Sequence, residues 1–141
     1  DRIKDLFKLS NGKYVAPLQV ESLLKQSPLI SQPVAVGSGR KQVGALIVPD
    51  WDALKETLED EGIDAAGSRE ELCMNPAVIK RVQRDAVDLT REMNDHERVK
   101  RVYLLPREFS IDKGEMTPTL KIKRNVIDEK YGEAIDEICG S

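Results

Sequence analysis

Three cationic side chains lie close together in the segment Thr-Pro-Thr-Leu-Lys-Ile-Lys-Arg at residues 117–124. Because Pro118 fixes its own φ and disfavours helix at the residue before it, the backbone here should be stiff and extended. In extended backbone Lys121 and Lys123 point to one side and Ile122 to the other, where it serves as an apolar anchor. This arrangement would present an ammonium group on a loop tip to a phosphate. The spacing leaves open a plain solvated basic turn.

The first sixteen residues are the second informative segment. Ser-Asn-Gly at residues 10–12 is a strong hairpin-turn signal, because Asn and Gly tolerate positive φ. Apolar residues precede this turn, and Lys-Tyr-Val-Ala at residues 13–16 reads as the returning strand. A chain that opens directly on a hairpin is expected to be part of a longer protein.

Composition limits the possible classes of protein. A chain of 141 residues with 40% apolar and 33% charged residues predicts one globular domain with a modest core. The net charge of −3 and the pI near 5.3 argue against nucleic acid as a main partner. No apolar run approaches the roughly 20 residues that span a bilayer. Cys73 and Cys139 lack metal-ligand spacing, so a reduced pair and a cytoplasmic location are expected.

Helical and strand patterns alternate along the rest of the chain. Asp50 is a candidate N-cap, and Asn75-Pro76 is a second helix start because Pro suits the first helical position. The predicted elements are a helix from Pro17 to Leu24 with Glu21 on its polar side, strands at 32–37 and 42–48 around a Gly-Ser-Gly-Arg turn, a helix from Trp51 to about Glu61, a long helix from Pro76 to Asn94, a strand at 99–105 and a last helix from about Asn125.

No complete active site can be assembled from these residues. His96 is the single histidine, so neither a histidine metal site nor a histidine-based triad is available, and no metal site is expected. No glycine-rich loop ends in Gly-Lys-Ser/Thr. The acidic runs at residues 59–61 and 70–71 fit polar helix faces, and Cys73 fits a small buried side chain better than a nucleophile.

The two informative segments together resemble a known family. Asp-Arg-Ile-Lys-Asp-Leu-Phe-Lys at residues 1–8, Gly-Lys-Tyr-Val-Ala-Pro at 12–17 with Glu21, and the segment 117–124 are similar to the hinge, hairpin and terminal lysine motif of the adenylate-forming acyl-CoA synthetases. The motifs are nearest to those of the long-chain fatty acid–CoA ligase branch. In that branch the hairpin carries an extra residue before Gly12, and Thr-Leu stands where most of the superfamily has Ser-Gly before the lysine.

The resemblance implies an α+β fold in which an N-terminal hairpin precedes a small mixed three-stranded sheet flanked by helices. It assigns the whole chain, 1–141, to a single C-terminal lid domain, with residues 1–5 as hinge, 6–16 as hairpin and 17–141 as body. The large N-terminal ATP- and acyl-binding domain would then be the partner of this domain and is absent from the sequence.

The resemblance also implies residue roles. Lys121 corresponds to the lysine that enters the active site during adenylate formation, where a mobile point charge bridges carboxylate and phosphate oxygens. Lys4 matches the hinge position, and Arg2 matches the arginine that approaches the ribose of the adenylate. The implied substrates of the full-length enzyme are a fatty acid, ATP with Mg²⁺, and CoA, none of which this chain is expected to bind tightly alone.

The hairpin corresponds to the family's CoA channel. By resemblance Gly12 gives close backbone approach, and Tyr14 packs beside the pantetheine. The residues themselves leave open that Gly12 only makes a turn and that Tyr14 fills the small core. Lys13 stands where related sequences often carry an acid, so its role is not fixed by the resemblance.

Alternatives to a CoA ligase remain at this point. An acyl carrier protein could replace CoA as the thiol acceptor. A non-catalytic α/β module could instead bind an acidic or phosphorylated partner through Lys121, Lys123 and Arg124. The sequence is compatible with peripheral attachment at the inner face of a membrane but encodes no such attachment.

Overall fold

The computed structural model describes residues 6–64, 66–119 and 122–140. The predicted residues Arg2, Lys4 and Lys121 lie outside these ranges. In chain order the elements are strands β1 (Phe7–Lys8) and β2 (Tyr14–Val15), helix α1 (Pro17–Leu24), strands β3 (Ile30–Val36) and β4 (Val43–Pro49), helices α2 (Trp51–Asp60), α3 (Arg69–Met74) and α4 (Pro76–Thr90), strand β5 (Val99–Leu104), and helices α5 (Arg124–Lys130) and α6 (Gly132–Cys139).

A three-stranded mixed sheet with the order β3-β4-β5 forms the centre of the domain. Strands β3 and β4 pair antiparallel, whereas β4 and β5 pair parallel. Strand β4 is buried along its whole length, as expected for a central strand covered on both faces. The α+β class that the resemblance implied, with a hairpin and a small mixed sheet, is therefore confirmed.

Alternate residues of the strands enter two separate apolar clusters, one on each face of the sheet. Ala45 and Ile47 of β4 pack in the larger cluster, together with side chains from α1 to α4. Leu46 and Val48 pack in the smaller cluster, with side chains from α5 and α6. The domain thus has three layers, with the sheet in the middle. We call α1–α4 the first helical layer and α5–α6 the second.

Local signals placed two helix starts correctly. The Asp50 side chain accepts a hydrogen bond from the backbone N–H of Ala53 at 3.2 Å, which caps α2. The Asn75 side chain accepts from Ala77 N at 3.0 Å, with Pro76 at the first position of α4. Both caps satisfy backbone donors that the first turn of a helix leaves free.

Two helix ends differ from the predictions. Helix α4 ends at Thr90 and not at Asn94, because the Thr90 hydroxyl bonds back to Ala86 O at 2.9 Å and accepts from Val99 N at 3.1 Å, which ties the helix end to β5. The last helical segment is two helices separated at Tyr131, whose ψ of 26° leaves the helical range before Gly132 begins α6.

Both cysteines are free and buried. Burial raises the pKa of each thiol to about 12, so neither side chain is a ready nucleophile. Among the helices in the described ranges, none is long and apolar enough to cross a bilayer.

Candidate functional site

The segment that carries Lys121 is closed at its base by backbone pairing. Met116 and Ile122 form an isolated antiparallel bridge, and Lys123 N donates to Glu115 O at 2.9 Å. Residues on both sides of the segment are thus paired with each other directly before α5. We call residues 116–122 the lysine loop. The extended entry predicted for residues 117–119 is not found, because Pro118 and Thr119 lie in a turn. Ile122 packs against the smaller apolar cluster as the predicted anchor.

An ion pair fixes the start of α5. The Arg124 guanidinium donates to both carboxylate oxygens of Glu21 at 2.8 and 3.0 Å, which is the bidentate geometry that Arg favours. Glu21 also accepts from Ala35 N at 2.8 Å. The prediction that Glu21 lies on the polar side of its helix is wrong, since only 7% of the residue is exposed. Its carboxylate joins α1, β3 and α5.

A second carboxylate, Glu115, lies directly before the lysine loop and is 1% exposed. It accepts hydrogen bonds from the Tyr131 hydroxyl at 2.6 Å, from Lys130 Nζ at 2.9 Å and from Ser110 N at 3.2 Å. Burial opposes ionisation, but the donated hydrogen bonds and the Lys130 charge outweigh burial and lower the pKa of Glu115. Burial and the same carboxylate raise the pKa of Tyr131, so the phenol keeps its proton.

The hairpin and the lysine loop meet at one cleft of about 450 Å³. Phe7 of β1, Gly37 of the β3–β4 turn, and Thr117 and Lys123 beside the loop are among its lining residues. Asp128 of α5 also lines it, and burial raises the pKa of this carboxyl, partly offset by Arg40 and Arg124. Two motifs that are about a hundred residues apart in the sequence are therefore neighbours in space.

Backbone contacts hold the hairpin against the turn between β3 and β4. Ser10 N donates to Arg40 O, and Gly39 N donates to Lys8 O, both at 2.8 Å. Gly37 has a φ of +144°, and a Cβ there would lie 2.8 Å from Gln42 O, so this close packing requires glycine. The predicted hairpin turn at Gly37–Arg40 is confirmed. Its backbone is hydrogen-bonded to Lys8 of β1 and to Ser10.

The three residues predicted for the CoA channel lie along the exposed side of the hairpin. Gly12 has a φ of +89°, and its N–H donates to Leu9 O at 2.9 Å, which closes the turn. Lys13 is exposed. Tyr14 is 58% exposed with Lys8 Nζ 5.9 Å from its ring centroid, so the alternative in which it fills the core is wrong. The side chains of Lys13 and Tyr14 are therefore exposed to solvent on this side of the hairpin.

The structure provides no dedicated metal site among the residues it describes, because no three His, Cys, Asp or Glu side chains gather in metal-binding geometry there. A cleft of about 500 Å³ lies elsewhere, between α3, the end of β5 and the junction of α5 with α6. Lys130 and Tyr131 are among its lining residues, whereas Gly12, Lys13 and Tyr14 are not.

Sequence reasoning missed the group formed by Glu115, Lys130 and Tyr131. The only signal in the sequence was a glutamate two residues before the first threonine of the lysine motif. Its partners lie 15 and 16 residues further along, which matches neither helix nor strand spacing. Only the packing of α5 against the loop brings them together.

Comparison with known proteins gives the same assignment as the motifs. The family model described as the AMP-binding enzyme C-terminal domain matches residues 4–140. The long-chain-fatty-acid–CoA ligase FadD15 of Mycobacterium tuberculosis is 34% identical over 137 residues, covering 97% of this chain and 23% of that protein. Human long-chain-fatty-acid–CoA ligase 1 is 36% identical over 141 residues, covering 98% of this chain and 20% of that protein. The chain thus spans about a fifth of the length of these curated relatives.

Solved structures share the architecture. The A domain of carboxylic acid reductase from Segniliparus rugosus, in complex with AMP and a co-purified carboxylic acid, superposes with a TM-score of 0.74 at 25% identity, over 97% of this chain and 20% of that chain. A Mycobacterium tuberculosis fatty acyl CoA synthetase superposes with a TM-score of 0.56 at 18% identity, over 95% of this chain and 21% of that chain, which shows a shared fold. On the family match along nearly its whole length, the chain belongs to the C-terminal domain family of AMP-binding enzymes.

Proposed function

We propose that this chain is the mobile lid of an AMP-forming long-chain fatty acid–CoA ligase and that residues 1–141 form this single domain. The observation that carries the proposal is the family match over residues 4–140, together with relatives named as long-chain-fatty-acid–CoA ligases. The convergence of the hairpin and the lysine loop on one cleft supports it, because both motifs would face the same partner domain.

The proposed reaction has two halves. In the first, a carboxylate oxygen of the fatty acid attacks the α-phosphorus of ATP, the bond to the β-phosphate oxygen breaks, and pyrophosphate leaves. In the second, the sulfur of CoA attacks the acyl carbonyl carbon, AMP leaves with the carboxylate oxygen, and the thiol proton is released. The lid would rotate between the halves about Lys4, and the proposed partner for both is the enzyme's own N-terminal domain.

Lys121 is assigned to the first half of the reaction. A positioned ammonium group stabilises the negative charge that builds on the carboxylate and phosphate oxygens, and such a preorganised donor typically contributes about 10²–10³ in rate. In the full-length enzyme, Lys121→Ala should abolish pyrophosphate exchange but spare thioester formation from supplied acyl-adenylate. Lys113→Ala is the matched control, because Lys113 is an exposed lysine in a turn before the loop. Equal loss in both half-reactions would reject the assignment.

Lys4 is assigned to the hinge and Arg2 to the ribose of the adenylate. Locking φ with Lys4→Pro should leave adenylate formation active and stop transfer to CoA, because one lid orientation is trapped. Lys4→Ala removes the same side chain but keeps φ free, so it should transfer the acyl group. An unchanged thioester rate in the proline variant would place the rotation elsewhere.

The CoA channel is assigned to Gly12, Lys13 and Tyr14. Their exposure on one side of the hairpin suits a surface that a ligand reaches after rotation. Tyr14→Ala should raise the KM for CoA and leave pyrophosphate exchange unchanged, and the same titration with an acyl carrier protein would distinguish the two acceptors. Lys13→Ala tests whether the lysine contributes to that affinity.

A non-catalytic binding module is not favoured. That reading needs Lys121, Lys123 and Arg124 as a free basic patch, but Arg124 is committed to the Glu21 carboxylate. Combining the chain with the separately produced N-terminal domain decides between the two functions. Restored acyl-CoA synthesis supports the ligase, and the isolated domain alone should be inactive. The proposed location of the full-length enzyme is the cytoplasm, either soluble or peripheral at the inner face of a membrane.

A further inference from the structure

Glu115 is a buried carboxylate that has no role in the proposed reaction. It is 1% exposed and accepts from three separate donors, so it is fully engaged inside the protein. A buried carboxylate is costly unless it is paired and hydrogen-bonded. Because Glu115 lies immediately before the lysine loop, its hydrogen bonds hold the start of that loop.

We propose that Glu115, held by Tyr131 and Lys130, is the positioning residue for Lys121. This inference rests on the proposed function of Lys121 in adenylate formation. Glu115 does not touch the reactants in this proposal. It acts through the loop, by limiting the conformations in which the ammonium group of Lys121 is presented.

Glu115 contacts both ends of α5, the helix that follows the loop. Its backbone carbonyl accepts from the N–H of Lys123, the residue immediately before α5. Its carboxylate accepts from Lys130 and Tyr131, which lie at the end of that helix. The residue at the entry to the lysine loop is therefore hydrogen-bonded to both ends of the helix that follows the loop.

Different contacts hold the start and the end of α5. Arg124 ties the start of the helix to Glu21 in the first helical layer and β3 through charge-assisted hydrogen bonds at 2.8 and 3.0 Å. The Tyr131 ring packs edge-on against Phe109, with centroids 6.1 Å apart, and its hydroxyl points at Glu115. The Glu115 contacts hold the residue directly before the loop, next to the Met116–Ile122 pairing. A small misplacement of a catalytic group can cost up to about 10²-fold in rate, so the loss of this anchor should be visible in kinetics.

Two variants of the full-length enzyme test the inference. Glu115→Gln keeps the shape of the side chain but removes its charge, and Tyr131→Phe keeps the ring packing but removes one donor. We expect Glu115→Gln to lower kcat for pyrophosphate exchange by about 10- to 100-fold and Tyr131→Phe to lower it less. Thioester formation from supplied acyl-adenylate should keep the wild-type rate in both variants, because Lys121 has no task in that half.

Thr90→Val is the control for lost stability. Thr90 is fully buried in the first helical layer, where its hydroxyl accepts from Val99 N, so its removal disturbs a buried hydrogen bond away from the loop. It should lower the melting temperature without separating the two half-reactions. If Glu115→Gln does not fold, the kinetics of Tyr131→Phe alone test the positioning role.

The outcomes separate this inference from the proposed function. A wild-type enzyme without pyrophosphate exchange would overturn both. Exchange that is lost in Lys121→Ala but unchanged in Glu115→Gln and Tyr131→Phe would overturn the positioning role alone. An equal loss in both half-reactions, as for a general loss of stability, would also overturn it.

Discussion

The two helical layers are attached to the sheet in different ways. The first layer, α1 to α4, packs mainly through aliphatic side chains such as Leu54 and Val82, which are fully buried. The second layer, α5 and α6, has a smaller apolar cluster and many polar contacts. These include Arg124 to Glu21, Lys130 and Tyr131 to Glu115, Arg101 Nη1 to Glu137 O at 2.9 Å and Gln42 Nε2 to Ile138 O at 2.9 Å.

The apolar contacts of the first layer and the polar contacts of the second layer have different effects on the fold. Apolar burial is strong but non-directional, so it holds a layer in place without fixing its orientation finely. Hydrogen bonds to charged groups depend on distance and angle, so they define how the second layer sits on the sheet. Thr90 and Glu21 also tie the first layer to the sheet by hydrogen bonds. The layer that carries the lysine loop relies more on such contacts, because its apolar cluster is smaller. Volume changes should therefore damage the first layer most, and charge changes should damage the second.

The largest expected effect is a cavity in the first layer. Leu54→Ala should lower the free energy of unfolding by about 2–5 kcal/mol, because it removes buried methyl groups and leaves a void. Leu18→Ala is the control, since Leu18 is 54% exposed and its loss should change stability by at most about 0.5 kcal/mol. Urea unfolding measures both. Similar costs for the two leucines would contradict the view of this layer as the apolar core.

Breaking the ion pair of the second layer comes next. Arg124→Met should cost about 1.5–3 kcal/mol, because it leaves the buried Glu21 carboxylate without its charged partner. The double variant with Glu21→Gln should cost less than the sum of the two single variants, since the glutamine still accepts from Ala35 N and carries no unpaired charge. Strict additivity in urea unfolding would show that the two side chains do not depend on each other.

Removing the cap of α2 should have a smaller effect. Asp50→Ala takes away the side-chain acceptor for Ala53 N, which typically costs about 1 kcal/mol. Lys55→Ala, a change inside the same helix, serves as the control and should be nearly neutral. Thermal unfolding compares them, and an equal shift in both would mean that the cap contributes nothing measurable.

The smallest effect is a change in the pH dependence of stability. The pKa of Glu115 is lowered in the folded protein, so its contribution is present at neutral pH and is lost as the pH falls through that lowered value. The pKa of Asp128 is raised by burial, so its ionisation opposes folding as the pH rises. Glu115→Gln should therefore flatten the loss of stability in acid, and Asp128→Asn should steepen it. The free energy of unfolding measured below about pH 5 checks both signs.

Sequence reasoning succeeded where the cause is local. The turn at Asn11-Gly12, the cap at Asp50 and the helix start at Asn75-Pro76 each depend on contacts within three or four residues, so their chemistry can be read directly. The three separated motifs also identified the family, and the family match over residues 4–140 confirms it. The roles of Lys121, Lys4 and Arg2 stay predictions, because these residues lie outside the described ranges.

The tertiary structure alone decided the rest. Glu21 has the spacing of a solvent-facing helix residue, yet Arg124, 103 positions away, makes its burial possible. Thr90 ends α4 because β5 offers it Val99 N, and Tyr131 separates the last two helices where its hydroxyl meets Glu115. Local sequence determines turns, caps and periodic faces because their partners are near in the chain. Buried charges take partners that only folding brings within reach, so the polar attachment of the second layer could not be foreseen from the sequence.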